Sequence, residues 1–277
     1  MRIFVTGATG FIGSNFVNYS LSNGDEVVGL KRNKLSTPRV PLLKEPIWLI
    51  KQLDDLSESD FTGVDVVVHL AAHSMFPPYD TLESCIYWNV ISPIRAFKEA
   101  IKSGVKKFVI AGSCFEYGLS GEEYEYIPVD APLKPTLTYA VSKAASSMAF
   151  YQMAVENKLE LSYHRIFHVY GEGESENRFW PSLKKAALAG IDFEMTNGEQ
   201  VRDFIYVGEV VKKLYNYCNS VGDKYPIIHN LGTGNPKTLK DFATSYWKYW
   251  NAKGKLIFGA KPYRNEEVMR YVPLILE

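Results

Sequence analysis

Gly7-Ala8-Thr9-Gly10-Phe11-Ile12-Gly13 lies near the start of the chain and separates two periodicities. Before it, Arg2-Ile3-Phe4-Val5-Thr6 has the β-branched and aromatic character of a buried parallel strand. After it, Phe16, Val17, Tyr19 and Leu21 recur at helical spacing. A strand, a glycine turn and a helix therefore meet at one point. Glycines at this spacing allow a tight turn, close approach of backbone to a pyrophosphate and close packing of helix on strand, while the first helical amides face the anion. The stretch reads as a dinucleotide site formed by Gly7, Thr9, Gly10, Phe11, Ile12 and Gly13.

Working outward, Asn23-Gly24-Asp25 supplies a turn and residues 26–30 a second strand, which in such a site ends beside the adenine ribose. Its tip is Lys31-Arg32. An acidic residue there would accept the ribose hydroxyls of NAD, whereas two cations favour the 2′-phosphate of NADP; the plain alternative is a solvated basic loop. Residues 33–46 hold three prolines and form a loop, residues 47–50 a third strand, and Asp54 or Asp55 falls near the adenine. Residues 65–72 form a nearly continuous apolar strand, of the sort covered by helices on both faces. Leu70, Ala71 and Ala72 leave room for the cofactor at its carboxyl end, and His69 reads as a packed side chain. A helix is predicted over 82–103 with Asn89 inside it, explained either by a hydrogen bond into the site or by exposure. The next strand, 106–112, delivers Ser113 to the same crevice. Strands alternating with helices define an α/β fold with a doubly wound parallel sheet.

Tyr139 and Lys143 lie four residues apart at the start of a predicted helix over 136–158, hence on one face. A neighbouring cation favours phenolate, so the tyrosine pKa is expected to fall from about 10 toward working pH, as an acid or base requires. Ser113 completes the set by hydrogen-bonding a substrate oxygen.

Composition narrows the function classes. The chain of 277 residues is 46% hydrophobic with formal net charge zero, enough for a sizeable core and without the basic excess that marks nucleic-acid binding. Cys85, Cys114 and Cys218 are scattered, which suits a reducing compartment and argues against disulfides or a metal site. No segment has the length of a signal core or membrane span, so a cytoplasmic protein is expected.

Taken together, Gly7 to Gly13, His69-Leu70-Ala71-Ala72, Asn89, Ser113 four residues before Tyr117-Gly118, and Tyr139 with Lys143 resemble the extended short-chain dehydrogenase/reductases that act on nucleotide sugars. The resemblance covers almost the whole chain. It implies a Rossmann domain over 1–170 and a smaller substrate lobe over 171–277, with segments of about 203–237 returning to the first. It also implies Tyr139 as catalytic acid/base, Lys143 on the nicotinamide ribose, Ser113 assisting, and Asn89, Phe167 and Val169 beside the cofactor. His168-Val169-Tyr170-Gly171, Glu176-Asn177-Arg178-Phe179, the stretch from Gly198 to Ile205, Gly232-Thr233-Gly234, Leu239 to Phe242 and Arg264-Asn265-Glu266 are similar to bacterial CDP-abequose and CDP-paratose synthases, 4-ketoreductases of O-antigen synthesis.

Physical chemistry suits a nucleotide-sugar pocket in this second half. Arginine forks match a diphosphate, which points to Arg202 and Arg264, and Asn177 adds an amide donor. Cys114, Phe115, His168 and Arg178 complete the expected substrate contacts. Helices are predicted over 177–190 and 238–250, a strand returning to the sheet over 226–231, and a short strand over 255–258. Two departures stand out. Relatives continue beyond the position of Glu277, so either the C-terminal lobe is reduced or the chain is cut, and His168 stands where the family often has asparagine.

Related dehydratases place Asp-Glu directly after the Ser/Thr position, where this chain has Cys114-Phe115. Bifunctional epimerase/reductases use a cysteine and a histidine, where it has Phe115 and Arg178. The resemblance thus implies an NADP-dependent reductase of a nucleotide-linked 4-keto-6-deoxy or dideoxyhexose. A 4-epimerase with retained NAD is the alternative, and a non-catalytic dinucleotide sensor or RNA-binding relative is disfavoured by intact Ser113, Tyr139 and Lys143. A homodimer is expected through the 82–103 and 136–158 helices, whose Met148, Phe150, Tyr151 and Met153 exceed the needs of one core face.

Overall fold

The computed structural model describes residues 1–220, 225–264 and 267–275. Strand β1 (Arg2–Thr6) and helix α1 (Phe11–Ser22) flank the glycine turn, followed by β2 (Glu26–Lys31), β3 (Ile47–Ile50) and β4 (Val66–His69). Then come α2 (Leu82–Ile86), a π-helical turn (Tyr87–Ile91), α3 (Ser92–Lys102), β5 (Lys107–Ser113), α4 (Thr138–Asn157), β6 (Glu160–Ile166) and β7 (His168–Tyr170). The remaining elements are α5 (Phe179–Ala189), β8 (Phe193–Glu194), β9 (Val201–Tyr206), α6 (Val207–Asn219), β10 (Ile227–Leu231), β11 (Pro236–Thr238), α7 (Leu239–Tyr249), β12 (Leu256–Ile257) and β13 (Arg270–Tyr271).

Seven strands form one parallel sheet in the order β10-β6-β5-β4-β1-β2-β3. The order reverses between β1 and β4, which opens a crevice at their carboxyl ends. Alternate side chains of each strand enter opposite layers. Phe4, Val67, Phe108 and Ile110 pack with Phe97 and Phe150 of α3 and α4, whereas Ile3, Val5, Val66 and Val68 pack with Phe16 of α1 and Val210 and Leu214 of α6. Both faces are covered, which is why these strands read as unbroken apolar runs. β10 joins this sheet beside β6, as predicted for 226–231.

A second sheet is built on β9, paired with β7 and β13 in parallel and β11 antiparallel. The Asp203 carboxylate ties it to the 232–234 turn, accepting from the backbone N–H groups of Thr233 at 2.9 Å and Gly234 at 2.6 Å. β8 and β12 form a two-stranded parallel pair, so the strand predicted over 255–258 is present in shorter form. Among the described residues no helix is long and apolar enough to cross a membrane. All three cysteines are free and buried.

The helix predicted over 82–103 is interrupted by the π turn. An extra residue per turn swings Asn89 inward, where it is buried. The apolar load of α4 divides between two faces. Phe150 and Met153 are core residues, while Met148, Tyr151 and Val155 on the opposite face are exposed, beside exposed Leu82, Trp88 and Ile91. Spacings of three and four residues recur within each stripe, as helical geometry requires.

Candidate active site

The glycine turn is a cradle that side chains would fill. Gly7 has φ +65°, and a Cβ there would lie 2.6 Å from the Ala71 nitrogen and 2.7 Å from the Leu70 carbonyl carbon. At Gly13 it would lie 2.0 Å from the Gly7 oxygen, and at Gly10 3.1 Å from the same atom. Leu70, Ala71 and Ala72, each half-buried, thus border the turn. Helix α1 starts after Gly10 with no side-chain cap and no acidic residue in its first turn, leaving its leading amides to an anion. Thr9, Phe11 and Ile12 belong to this approach. These features fit a dinucleotide pyrophosphate.

At the tip of β2 the Lys31 ammonium rests over the Trp48 ring, 4.7 Å from its centroid, and Arg32 is exposed. Asp54, one of the two aspartates expected near the adenine, accepts a 2.8 Å hydrogen bond from the Tyr87 hydroxyl. His69 is packed as predicted. Its Nδ1 meets Thr6 Oγ1 at 2.8 Å, and burial beside the Lys143 cation pushes its pKa down to about 3. The buried Asn89 amide accepts from the His73 N–H at 2.7 Å and donates to the His73 carbonyl and, at 2.9 Å, to the Ser142 hydroxyl. Ser142 donates in turn to the Tyr139 carbonyl. The sequence alternative that Asn89 bonds inward is the one realised, through positioning of the 73 loop and α4.

Ser113 ends β5, and Tyr139 and Lys143 descend from α4 to the same place; all three are buried. The electrostatics differ from the sequence expectation. Burial raises the Tyr139 phenol well above its ordinary pKa, outweighing the nearby Ser113 hydroxyl that favours its ionisation. Lys143 does not lower it. That ammonium donates to the Ala111 carbonyl at 2.7 Å and is itself pushed down to about 8 by burial, with Glu116 opposing. Helical spacing places the pair on one face but is silent on desolvation, which dominates here. Tyr139 is therefore a neutral phenol, ready to give a proton.

The residues after Ser113 carry little acid/base chemistry. Cys114 is buried and its thiol pushed up to about 12, and the Phe115 ring stands edge-on to His168 and Tyr271. His168 is held neutral by burial, with the positive charges of Arg202 and Arg178 acting in the same direction. Phe167 is buried against Cys114 and Tyr117, and Val169 pairs with Ile205 in the second sheet.

A cavity of about 110 Å³ lies next to this group, lined by His168, Glu174, Arg178, Gln200, Arg202 and Glu267 among others. Ser113, Tyr139 and Lys143 are not on its wall. Arg202 donates to Glu267 Oε1 at 2.8 Å and to the Val268 carbonyl at 2.7 Å. Arg178 lies 3.5 Å from Glu174 and over the Phe76 ring. Arg264 and Asn177 are exposed, and burial raises the Tyr79 phenol above its ordinary pKa with the charges of Arg264 and Arg178 opposing. Asn265 and Glu266 lie outside the described residues. Sequence reading missed Glu174, whose carboxyl burial pushes up to about 7, as well as Gln200 and Glu267. Only Gln200 stood inside a quoted motif; the glutamates resemble ordinary surface carboxylates until the cavity is seen.

A glycine turn that fits a dinucleotide pyrophosphate, at the same edge of a parallel sheet as a Ser-Tyr-Lys group, is the arrangement of the short-chain dehydrogenase/reductases, a family that uses a nicotinamide cofactor. The family model described as NAD dependent epimerase/dehydratase family matches residues 3–232, and the chain belongs to that family. It is 26% identical to CDP-abequose synthase of Salmonella muenchen, covering 97% of this chain and 87% of the relative. It is 28% identical to UDP-glucose 4-epimerase of Mycolicibacterium smegmatis, covering 88% and 81%. Among solved structures, TunA, an NAD-dependent NDP-hexosamine 5,6-dehydratase of tunicamycin biosynthesis, superposes with TM-score 0.85 at 28% identity, over 98% of this chain and 88% of that one.

Proposed function

We propose that the protein is an NADP-dependent reductase of a nucleotide-linked 4-keto-6-deoxy or dideoxyhexose, acting in the cytoplasm in bacterial surface-polysaccharide synthesis. The observation that carries this reading follows Ser113: a thiol held neutral by burial and a phenyl ring, where related dehydratases place an Asp-Glu pair. Expulsion of a C6 hydroxyl needs a second acid/base pair. Reduction of a C4 ketone needs one proton donor.

A reduced nicotinamide dinucleotide held by the Gly7–Gly13 turn would supply the hydride for the C4 carbonyl carbon. Tyr139 transfers its phenolic proton to the carbonyl oxygen as negative charge develops there, and Ser113 donates a hydrogen bond to the same oxygen. In this scheme residues 1–170 hold the dinucleotide and the later part holds the nucleotide sugar. Arg202, Arg264 and Arg178 match the diphosphate charge, with Asn177, His168, Cys114 and Phe115 around the sugar. Running the reaction in deuterated water with nucleotide 4-ketosugars and NADPH should give product free of deuterium at C3 and C5 beyond the uncatalysed background. Label at either carbon overturns the simple-reductase reading.

A 4-epimerase with retained NAD is the second reading, favoured by the 28% identity to a UDP-glucose 4-epimerase. Stoichiometric NAD that copurifies and does not exchange would support it.

Lys31 and Arg32 underlie the NADP assignment. Exchanging them for Asp and Ser should reverse cofactor preference by roughly 2–3 kcal/mol, the range of hydrogen bonds to charged groups. Equal catalytic efficiency of the unmodified enzyme with NADH and NADPH would refute the assignment.

Exposed Leu82, Trp88, Ile91, Met148, Tyr151 and Val155 form the face proposed to pair two copies. Sedimentation at micromolar concentration should return a dimer, and Met148→Lys with Tyr151→Lys a monomer. A monomer before substitution excludes this assembly.

A further inference from the structure

The sequence suggests an exposed Glu116, with at most a minor acid/base role; in the structure it is fully buried directly beneath the catalytic group. Its Oε1 accepts from the Ser113 backbone N–H at 2.8 Å and from the Tyr163 hydroxyl at 2.8 Å, and its Oε2 pairs with Arg165 Nε at 2.9 Å. Tyr163 also reaches α4, with its hydroxyl 3.1 Å from the Lys143 carbonyl and 3.1 Å from the Ser146 hydroxyl. Arg165 is held behind by the Val129 carbonyl at 2.8 Å and the Tyr117 hydroxyl at 3.0 Å. Contact with β5 is tight: a Cβ on Gly112 would lie 2.7 Å from Glu116 Oε1 and 2.2 Å from the Tyr163 ring.

One carboxylate therefore joins three elements: the β5 end carrying Ser113, the α4 turn carrying Tyr139 and Lys143, and β6. A fully buried carboxylate is costly unless its lone pairs are matched, and here they meet an N–H, an O–H and a guanidinium. We propose that Glu116 is a positioning residue that sets Ser113 against Tyr139 and Lys143 and places a fixed negative charge within reach of the lysine.

The groups facing Lys143 are Glu116 from the turn after β5, His69 from β4, Tyr163 from β6 and Tyr139 on its own helix, with Arg165 behind Glu116. Of these, Glu116 favours the ammonium, and the lysine in turn disfavours protonation of His69. Removing the Glu116 charge should therefore lower the Lys143 pKa.

Two variants test the role, with the turnover arm resting on the reductase reading. Glu116→Gln should lower kcat about 10- to 100-fold per folded enzyme, leave KM and the NADPH Kd within about twofold, and move the Lys143 titration, followed by NMR of labelled lysine, down by about one pH unit. Glu116→Asp, which keeps the charge but shortens the reach, should hold the titration while losing kcat. Wild-type kcat with an unmoved lysine overturns the proposal, as does a loss of kcat accounted for by unfolded protein alone. Should Glu116→Gln fail to fold, Tyr163→Phe leaves the Glu116–Arg165 pair intact and removes the link to α4. It should lower kcat several-fold, and wild-type kcat there refutes the proposal. An unmodified protein inactive on every nucleotide 4-ketosugar defeats the reductase reading instead, and the lysine titration then decides on Glu116.

Discussion

Tyr139→Phe should lower turnover by about 10² to 10⁴ while leaving NADPH affinity nearly unchanged, because it removes the proton donor without altering the fit of the ring. The phenol is 7% exposed and held protonated by burial, so it is in the form that gives a proton. Single-turnover kinetics should place the loss in the hydride step, and a variant retaining a tenth or more of wild-type turnover would assign the proton to another group. The pH profile supplies a second check. Lys143, at about 8, is an ammonium below that pH and an amine above it. If its charge assists the reaction, kcat/KM of the free enzyme should be steady toward neutrality and decline as pH rises through about 8. An acid limb near pH 7 would instead implicate Glu174, whose carboxyl titrates at about that value.

Gly13→Ala should cost roughly 5- to 150-fold in dinucleotide affinity and lower the melting temperature. The added methyl would sit 2.0 Å from the Gly7 oxygen and 2.8 Å from its carbon, both backbone atoms that cannot rotate away. Overpacking of this kind costs about 1–3 kcal/mol, and 1.4 kcal/mol is tenfold in binding. For a chain of this size the stability loss corresponds to roughly 2–4 °C per kcal/mol. Fluorescence titration with NADPH and a thermal scan read the two effects separately. Unchanged affinity would show that the dinucleotide is held elsewhere.

The features read correctly from sequence are those where residue identity is dictated by geometry. Only glycine satisfies both the φ of +65° at Gly7 and the contact at Gly13, so the turn announces itself. Apolar strands enclosed by two layers and a Tyr-Lys pair one helical turn apart are likewise local patterns. What escaped depends on contacts between distant segments. Glu116 reads as a surface residue until Arg165 and Tyr163, about fifty positions later, are laid beside it. The Tyr139 phenol departs from the expectation because burial, contributed by many elements, outweighs the Ser113 hydroxyl that opposes it. Which members of the apolar load of α4 face the core, Phe150 and Met153, and which face outward, Met148 and Tyr151, was not legible because the phase of a helix is set by what it packs on. The strands that flank β9 in the second sheet have two or three residues each, too few to show a periodicity of their own.

The π turn at Tyr87–Ile91 amounts to a one-residue insertion carried inside a helix. Deleting a single residue there would let the segment close as an uninterrupted α-helix with the flanking turns still facing as they do now, because the wider turn is what absorbs the extra residue. What would go is the bulge that turns Asn89 toward the His73 backbone. An aligned one-residue gap at these five positions would therefore mark a chain that keeps the flanking helices in place and has given up the inner anchor alone.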